Sequence, residues 1–352
     1  MIGMVERSLW HPVALSADVA GAPVAAQLLD EELVLWRDAS GMVHAWQDRC
    51  PHRGAKLSLG RVHGDTLECG YHGWVFDMSA RCVRVPALPS FTPPASHCAT
   101  KYFACEQYGM VWVSLSEPSQ PLPLFDVASE QRIVQCGPYD VATSAPRVVE
   151  NFLDMAHFGF VHEGYLGARD AAGVADYEVT RTATGIEATG CRAWQPQSHA
   201  HARQGADVSY AYKVISPFCA ILTKFSDQSA TVAQGQSVKG RESIALWVCP
   251  VSHEQSRVWF SLAGGVWMAD GASDAEGVQK VLDVKNVQHP QNAQTLRDFQ
   301  DTIFLQDKPI LESQRPKRLP LDLRAELHTT ADKASSAYRR FLQETHITFG
   351  VC

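Results

Sequence analysis

The chain has 352 residues, which suggests two domains, and its 45% hydrophobic and 20% charged residues are ordinary for a soluble globular protein. A formal net charge of -7 argues against a nucleic-acid-binding protein, which needs a basic surface. No apolar run approaches the roughly 20 residues of a membrane span, and the start lacks a basic segment followed by an apolar core. We therefore expect a cytoplasmic protein that binds neither nucleic acid nor membrane.

The first third of the chain is predicted to be rich in β-structure. Strand-forming runs at 31–36 and 42–48 flank turn-forming residues at 38–41, which is typical of a β-hairpin. The run WVFDMSARCVRV repeats this pattern around a turn near Met78, and an apolar run at 108–115 predicts a further strand. These short strands indicate a β-rich N-terminal domain.

Two loops in this part of the chain each combine one cysteine with one histidine. The sequence CPHRG contains Cys50 and His52, and the sequence CGYHGW contains Cys69 and His72. Two thiolates and two imidazoles suit either a tetrahedral Zn²⁺ site or a Rieske [2Fe–2S] cluster. Zinc sites usually group like ligands together, whereas each loop here supplies one ligand of each kind. That pattern favours the Rieske cluster, with both cysteines on one iron and both histidines on the other.

A proline-rich stretch at 118–125 indicates a linker or a domain edge. We therefore expect a first domain at 1–117 and a second domain at 118–352. Because the second part of the chain adds helical patterns to further strands, the predicted fold class of the whole protein is α+β.

The second domain is predicted to combine a few helices with several strands. A helical pattern covers about 147–163, and strand-like runs follow within 210–225 and 244–265. A long helical pattern covers about 292–315, and a last helix covers about 331–343. The run GVWMADGASDAEG, between the strands and the long helix, is a candidate for a mobile loop.

Polar residues with ligand chemistry interrupt the first helical pattern of the second domain. Asn151, Asp154 and His157 follow one another at steps of three, and His162 comes five residues after His157. Five residues turn an ideal α-helix by about 140°, so the two imidazoles would not converge. We therefore predict a distortion at Gly159, either a π-type turn or a helix end.

Two converging imidazoles with open positions suit a non-haem Fe(II) site, if a carboxylate completes the ligand set. The alternative is that His157 is a core histidine with satisfied hydrogen bonds, because the segment around it is strongly apolar. Burying an aspartate and two histidines together without a role is costly, however. A metal site that includes His157 and His162 is therefore the favoured interpretation.

The carboxylate is sought on the long helical pattern, which contains four candidates. Asp298 and Glu312 have polar or proline neighbours three and four residues away and are expected to be exposed, and Asp301 has mixed neighbours. Asp307 is bracketed at these spacings by four apolar residues. A carboxylate in the middle of an apolar stripe needs a strong partner, and an iron would supply one. Asp307 is therefore the predicted third ligand.

The two Cys–His loops resemble the Rieske domain of ring-hydroxylating oxygenases. The respiratory-complex type has an extra disulfide-forming cysteine in each loop, where this chain has Ala55 and Tyr71. The pattern NxxDxxHxxxxH from Asn151, with a distant carboxylate, is similar to the catalytic domain of the Rieske non-haem iron oxygenases. The run QDKPILESQRP resembles the carboxylate-supplying segment of single-subunit-type demethylases and hydroxylases. HFGFVHEGYLG and AYRRFLQETHITFGVC are especially similar to the saxitoxin-pathway Rieske hydroxylases, and caffeine and dicamba demethylases are more distantly similar.

This resemblance covers nearly the whole chain, and it implies a fold and a set of cofactors. The implied fold is a β-rich Rieske [2Fe–2S] domain followed by a helix-grip catalytic domain, in which helices cover an antiparallel sheet. The implied Rieske cluster is held by Cys50, His52, Cys69 and His72. The implied mononuclear Fe(II), which uses O2 as co-substrate, is held by His157, His162 and Asp307.

The resemblance also implies a homotrimer arranged head to tail, in which the cluster of one subunit serves the iron of its neighbour. Asp154 would then hydrogen-bond both an iron-ligating histidine and a Rieske histidine of the adjacent chain. Asn151 is expected to lie near the iron without ligating it. A helix-start or core hydrogen bond is the alternative role for Asn151.

The sequence contains no GxGxxG motif and no P-loop, so NAD(P)H is expected to act only through a separate flavin/iron–sulfur reductase. Arg53, Lys56 and Arg61 are candidates for part of a docking surface for that reductase. Ordinary solvated charges are an equally good interpretation of these three residues.

We therefore predict a terminal oxygenase component that uses reductase-supplied electrons and O2 on a small aromatic or N-heterocyclic, alkaloid-like substrate. The reaction is predicted to be a monooxygenase hydroxylation or demethylation, with dioxygenase activity left open. The alternatives are an electron-transfer protein with about two irons per chain instead of about three, and a zinc-stabilised binding protein. The substrate is not identified, and its pocket is expected to include 214–222 and the loop 263–275.

Overall fold

The computed structural model of the protein describes residues 5–127, 133–198, 200, 202, 204–226, 240–264 and 290–352. The chain divides into two units. The first contains Met1–Leu122 together with Cys249–His253, and the second contains Pro123–Val248 and Glu254–Cys352. The division after Leu122 falls within the proline-rich stretch. None of the helices among the described residues combines the length and the apolar character that crossing a membrane requires.

The first unit is built from two antiparallel sheets. The strands of the larger sheet are β1 (His11–Leu15), β2 (Val24–Leu28), β3 (Glu31–Arg37), β4 (Val43–Gln47), β9 (Lys101–Gln107) and β10 (Met110–Ser114). Their order is β1-β10-β9-β4-β3-β2. The strands of the smaller sheet, in order, are β5 (Arg61–His63), β6 (Thr66–Glu68), β7 (Val75–Asp77) and β8 (Cys82–Arg84). Both predicted hairpins are confirmed, since β3 pairs with β4 and β7 pairs with β8.

A core of aromatic and aliphatic side chains joins the elements of the first unit. Trp36 on β3, Trp46 on β4 and Phe76 on β7 are fully buried in it. Cys50, three residues after β4, and Cys69, directly after β6, belong to the same core. One core of the first unit therefore holds both cysteine loops.

The second unit contains a seven-stranded antiparallel sheet. Its strands are β11 (Ile133–Val141), β12 (Glu178–Arg181), β13 (Ile186–Gln195), β14 (Ala206–Ser216), β15 (Cys219–Ser226), β16 (Gly240–Ser252) and β17 (Gln255–Gly264). Their order is β11-β17-β16-β15-β14-β13-β12. The strand-like runs predicted within 210–225 and 244–265 are confirmed as β14 to β17. The loop GVWMADGASDAEG lies outside the described residues.

Helices complete the second unit and give the predicted α+β class. They are α1 (Ala145–Leu153), α2 (Phe158–Val161), α3 (Pro290–Ser313) and α4 (Lys333–Glu344). The two helices predicted in the last quarter of the chain are confirmed as α3 and α4. α3 packs against β11, and α4 packs against β12, β13 and α1.

The helical segment predicted at 147–163 is interrupted earlier than expected, and the predicted distortion at Gly159 is wrong. α1 ends at Leu153, and Asp154 has extended backbone angles of -86° and 137°. The Asp154 carboxylate accepts the N–H of Ala156 at 2.8 Å, so the side chain competes with the helix for backbone hydrogen bonds. Asn151, Asp154 and His157 therefore do not lie on one continuous helix.

Gly159 lies inside the short helix α2, and close packing explains its small size. A Cβ atom at this position would lie 2.8 Å from the carbonyl oxygen of Ala168. Such a distance is far below van der Waals contact, so a larger residue would displace the segment that follows α2. Glycine is required here because another stretch of backbone approaches, and no bend occurs at this residue.

Candidate metal centres

The two Cys–His loops of the first unit share one backbone design. The N–H of Cys50 donates to the carbonyl of Ala55 at 2.8 Å, and the carbonyl of Cys50 accepts from Gly54 at 2.9 Å. The second loop repeats both hydrogen bonds around Cys69, at 2.8 Å and 3.0 Å. Gly54 and Gly73 take the same place in the two loops, with φ of +72° and +69°, a region that favours glycine. The two Cys–His loops are therefore equivalent tight turns, each with a cysteine at its start.

These turns place the sulfur and nitrogen ligands in different surroundings. Cys50 and Cys69 are buried, whereas His72 is exposed and His52 is half-buried. The two imidazole rings lie 4.6 Å apart between centroids. Burial raises the pKa of the Cys50 thiol to about 12, and the Cys69 thiol beside it adds to that rise. Two buried sulfurs and two accessible imidazoles fit a Rieske cluster, whose inner iron takes thiolates and whose outer iron takes histidines.

Aromatic side chains support the histidines of this site. His52 stacks on Trp74 with ring centroids 4.6 Å apart, and Trp74 stacks on His97 at 5.4 Å. Tyr71 packs against His72 at 3.8 Å. Trp74 and His97 are not among the site residues predicted from the sequence. Trp74 could have been predicted from its position directly after the sequence CGYHG. No local sequence pattern predicts that His97 lies near this site.

The basic residues proposed for reductase docking are on the surface of the first unit. Arg53, Lys56 and Arg61 are all exposed. Lys56 forms an ion pair with Glu32 at 2.6 Å, and this pairing satisfies its charge within the chain. The docking role stays a prediction.

The second unit brings together the two histidines and the aspartate predicted from the apolar helical patterns. One ligand atom from each of His157, His162 and Asp307 lies within 4.8 Å of the others. Oδ1 of Asp307 lies 3.5 Å from Nε2 of His157 and 3.2 Å from Nε2 of His162. We call these three residues the His–His–Asp group. Two imidazoles and one carboxylate with their free atoms converging fit the ligand set of a non-haem Fe(II) site.

The short helix α2 explains how two histidines five residues apart converge. His157 immediately precedes α2 and His162 immediately follows it. The N–H of Val161 donates to the carbonyl of His157 at 2.8 Å, so one helical turn separates the two residues. His162 leaves the helix with φ of -109° and ψ of 32°, which redirects its side chain toward that of His157. Asp307 reaches the pair from α3.

Hydrogen bonds from outside the group orient both imidazoles. Nδ1 of His157 lies 3.0 Å from Oδ2 of Asp154, and Nδ1 of His162 lies 2.8 Å from Oε1 of Gln306. Oxygen acceptors at both Nδ1 atoms place the proton there and leave Nε2 as the free lone pair. Burial opposes ionisation of Asp154, but the hydrogen bond and the attraction to His157 outweigh it and lower its pKa.

Other polar residues on α1 and α3 lie at different distances from the His–His–Asp group. The side-chain amide of Asn151 donates to Oδ1 of Asp307 at 3.4 Å, so Asn151 contacts the carboxylate. Gln306 was missed, and its position directly before Asp307 was the only available signal. Asp298 is exposed as expected. Asp301 accepts a hydrogen bond from Tyr139. The expected exposure of Glu312 is wrong: this residue is half-buried, because its carboxylate accepts the N–H of Ala142.

The His–His–Asp group opens onto a cavity within the second unit, whose empty space is about 870 Å³ when the part open to solvent is included. Its walls are mainly apolar, and they include Phe152, Phe158, Leu222, Ile244, Phe260 and Phe304. Of the predicted pocket segment 214–222, only Leu222 lines the cavity. The rest of this segment is the end of β14, the β14–β15 turn and the start of β15, whereas the cavity lies against the middle of these strands. Most of the predicted loop 263–275 lies outside the described residues.

The two halves of the chain match two different families. Residues 9–103 match the Rieske [2Fe-2S] domain, and residues 141–346 match the vanillate O-demethylase oxygenase C-terminal domain. The second match covers more than half of the chain.

Individual proteins and structures are similar over most of the chain. The methylxanthine N1-demethylase NdmA of Pseudomonas putida is 31% identical over 350 residues, 96% of this chain and 88% of that protein. The probable methylxanthine N7-demethylase NdmC of Pseudomonas sp. (strain TJI-51) is 39% identical over 247 residues, 69% and 77% of the two chains. The structure of Pseudomonas putida CBB5 NdmA with caffeine superposes with a TM-score of 0.73 at 28% identity, over 96% of this chain and 90% of that chain.

Proposed function

The chain belongs to the Rieske non-haem iron oxygenases, and from this premise we propose that it removes an N-methyl group from a small nitrogen heterocycle of the methylxanthine kind. As a member of this family, it is an O2-dependent oxygenase whose cofactors are a Rieske [2Fe–2S] cluster and a mononuclear iron. The proposal for the substrate rests on one observation. The His–His–Asp group opens onto a mainly apolar cavity, in a chain whose relatives along most of its length are named methylxanthine demethylases.

We assign the metal-binding residues as the sequence analysis predicts them. The Rieske cluster is held by Cys50, His52, Cys69 and His72, and the mononuclear iron is held by His157, His162 and Asp307. When bound, these centres deliver electrons singly and activate O2 for insertion into a C–H bond. The donor types and their proximity support the assignment.

The residues around the His–His–Asp group have positioning roles in this proposal. Asp154 and Gln306 hold protons at the Nδ1 atoms of the two histidines and so fix the direction of both Nε2 lone pairs. Asn151 donates to Asp307 and restrains the orientation of its carboxylate. The apolar cavity walls exclude water and turn an N-methyl group toward the His–His–Asp group.

The proposal includes the assembly of the protein and the source of its electrons. We propose a homotrimer arranged head to tail, in which Asp154 links the His157 side of one subunit to a Rieske histidine of its neighbour. Electrons from NAD(P)H enter through a separate flavin/iron–sulfur reductase. The functional domains are 1–117 and 118–352. The cytoplasmic location and the particular similarity to saxitoxin-pathway hydroxylases stay predictions.

The test is a reconstituted turnover assay. The iron-loaded protein is incubated with a purified Rieske-oxygenase reductase, NADH and caffeine, and formaldehyde and product mass are measured. Demethylation gives formaldehyde and a product that has lost one methyl group. A product that gains one oxygen and keeps its methyl groups would instead identify a hydroxylase. Full iron content with no oxidised product from any heterocycle would favour the electron-transfer alternative.

A further inference from the structure

Three polar side chains form a row across neighbouring strands on the face of the sheet that lines the cavity. Lys224 on β15 lies directly opposite Tyr210 on β14 and directly opposite Glu242 on β16. All three side chains line the cavity. The adjacent cross-strand row, two residues along each strand, is formed by Tyr212, Leu222 and Ile244. Side chains at a spacing of two share a face, so the polar row borders a row whose only polar side-chain atom is the hydroxyl of Tyr212.

Tyr210 and Lys224 of the polar row are buried and Glu242 is half-buried, and the hydrogen-bonding capacity of the row is not exhausted. Among the described residues, the hydroxyls of Tyr210 and Tyr212 and Oε1 of Gln195 are buried, line the cavity and make no hydrogen bond of good geometry, although Tyr210 and Gln195 lie close enough to interact with each other. Lys224 is only 9% exposed, and its ammonium donates to the carbonyl of Ser198. An ammonium has three N–H donors, so Lys224 retains donors for a ligand. Native proteins rarely leave such groups unpaired, and this pattern indicates a bound polar partner.

The charges of the row favour a neutral ligand. The row places one ammonium next to one carboxyl, so its charges already offset each other. Burial raises the pKa of Glu242 to about 7, although attraction to Lys224 opposes this rise. A ligand carboxylate would be repelled by Glu242, and a ligand cation would be repelled by Lys224. Either charged ligand would also be buried without full compensation of its charge. A neutral ligand group with a hydrogen-bond donor next to an acceptor can pair with both Glu242 and Lys224.

We infer that Lys224, Tyr210, Gln195 and Glu242 bind the imide or amide edge of a planar heterocycle, in which a ring carbonyl stands next to a ring N–H. Lys224 and Tyr210 donate to the carbonyl oxygen, and Glu242 and Gln195 accept the ring N–H. This inference rests on the proposed function, because it names how the substrate of that same cavity is held.

The position of the row relative to the His–His–Asp group gives this binding a consequence for selectivity. The ring of Phe158 lies 5.0 Å from the ring of His157 and 6.3 Å from the ring of Tyr210. The row and the His–His–Asp group therefore flank the same aromatic wall of one cavity. A planar ligand held by its N–H edge at the row presents another edge to the oxidising centre, so the row selects which methyl group is removed.

The first experiment measures binding, independently of turnover, with a pair of ligands that differ in one ring N–H. Theobromine has an N–H between two ring carbonyls, and caffeine has an N-methyl group there. Titration of the iron-loaded protein, followed by calorimetry, should show theobromine binding at least about tenfold more tightly. Glu242→Leu should abolish this preference, and Glu242→Gln, which keeps an acceptor oxygen, should retain most of it. Lys224→Met should weaken both ligands and leave their ratio unchanged.

Controls separate a recognition role from a structural one. Lys213 is exposed on the opposite face of β14, so Lys213→Met should change neither affinity. The same comparison is made with phthalimide and N-methylphthalimide, and with benzoate and benzamidine as an anion and a cation. Equal affinity for the N–H ligand and the N-methyl ligand in both pairs would overturn the inference. Tighter binding of benzoate or benzamidine than of phthalimide, or no binding of either imide, would also overturn it. A preference for the N–H ligand that persists in Glu242→Leu would overturn it as well.

The outcomes also separate this inference from the proposed function. A preference for the N–H member that depends on Glu242, in a protein that demethylates no methylxanthine, overturns the proposed function alone. Caffeine demethylation without any such preference overturns the role of the polar row alone.

Discussion

Nδ1 of His162 lies 2.8 Å from Oε1 of Gln306, while Nε2 of the same ring lies 3.2 Å from Oδ1 of Asp307, the next residue of α3. Adjacent residues of one helix therefore contact both nitrogens of a single imidazole. The helix sets the direction of His162 from both sides, because a shift of α3 would move the carboxylate and the amide together. This relationship leads to the first prediction.

Gln306→Leu should weaken binding of the mononuclear iron about 10- to 100-fold, because the ring of His162 loses the acceptor that fixes its orientation. Iron content and the reduced-state EPR spectrum check this result, since the Rieske signal should persist at full strength. Gln294→Leu is the matched control, because Gln294 is exposed on the same helix and contacts only Asp298 among the hydrogen bonds described. Unchanged iron affinity in Gln306→Leu would contradict this role.

Asp154→Ala removes the acceptor at Nδ1 of His157 and should weaken iron binding as Gln306→Leu does, so both metal spectra should be present when iron is saturating. Turnover should still be abolished, because the proposed link between His157 and the neighbouring Rieske histidine is lost. The alanine variant also removes the acceptor for the N–H of Ala156, so a second variant is needed. Asp154→Asn keeps an oxygen for the N–H of Ala156, but it removes the charge and places an NH2 donor in place of the oxygen that faces Nδ1 of His157. Single-turnover oxidation of the reduced cluster should be slowed in both variants. Wild-type activity in either variant would rule out the bridging role.

The ion pair between Arg339 and Glu150 should be a large contributor to the stability of the second unit. Arg339 is 2% exposed and makes two hydrogen bonds to Glu150, at 2.6 Å and 3.0 Å. Arg339→Met leaves a buried carboxylate with less compensation, so the free energy of unfolding should fall by about 3–5 kcal/mol. Denaturant titration measures this change. The control Arg324→Met breaks an exposed pair with Asp322 and should leave the free energy of unfolding close to that of the wild type. An equal loss in both variants would contradict the prediction.

Glu242 should give the protein a pH-dependent stability near neutrality. Burial raises the pKa of its carboxyl from 4.5 to about 7, so the folded protein holds a proton that the unfolded chain releases. The protonated form of Glu242 therefore stabilises the folded protein relative to the charged form. This contribution to the free energy of unfolding is fully present below pH 4.5 and is lost as pH rises through about 7. The expected loss is on the order of 1–3 kcal/mol. Denaturation curves of wild type and Glu242→Gln between pH 5 and 8 should converge at low pH and separate at high pH; parallel curves would show that Glu242 titrates normally.

The residue types of both candidate metal centres follow from short sequence patterns. Cys50 with His52, and Cys69 with His72, are each separated by one or two residues, so any tight loop brings the members of a pair together. The apolar stripe around Asp307 likewise predicts that this carboxylate is buried, and it is 7% exposed. These predictions succeed because they depend on local chemistry and on helical periodicity, which a few neighbouring residues determine.

Only the tertiary structure decides the direction of the side chains and the partners that they meet. The helix ends at Leu153 because the Asp154 carboxylate captures a backbone N–H, and helical periodicity cannot anticipate that competition. The row of Tyr210, Lys224 and Glu242 depends on the register of three strands, and a slip of one residue would turn each side chain to the other face. The sequence by itself therefore determined which chemistry this protein carries, and the pairing of distant segments decided where that chemistry points, because register and helix ends are set by contacts between residues far apart in the chain.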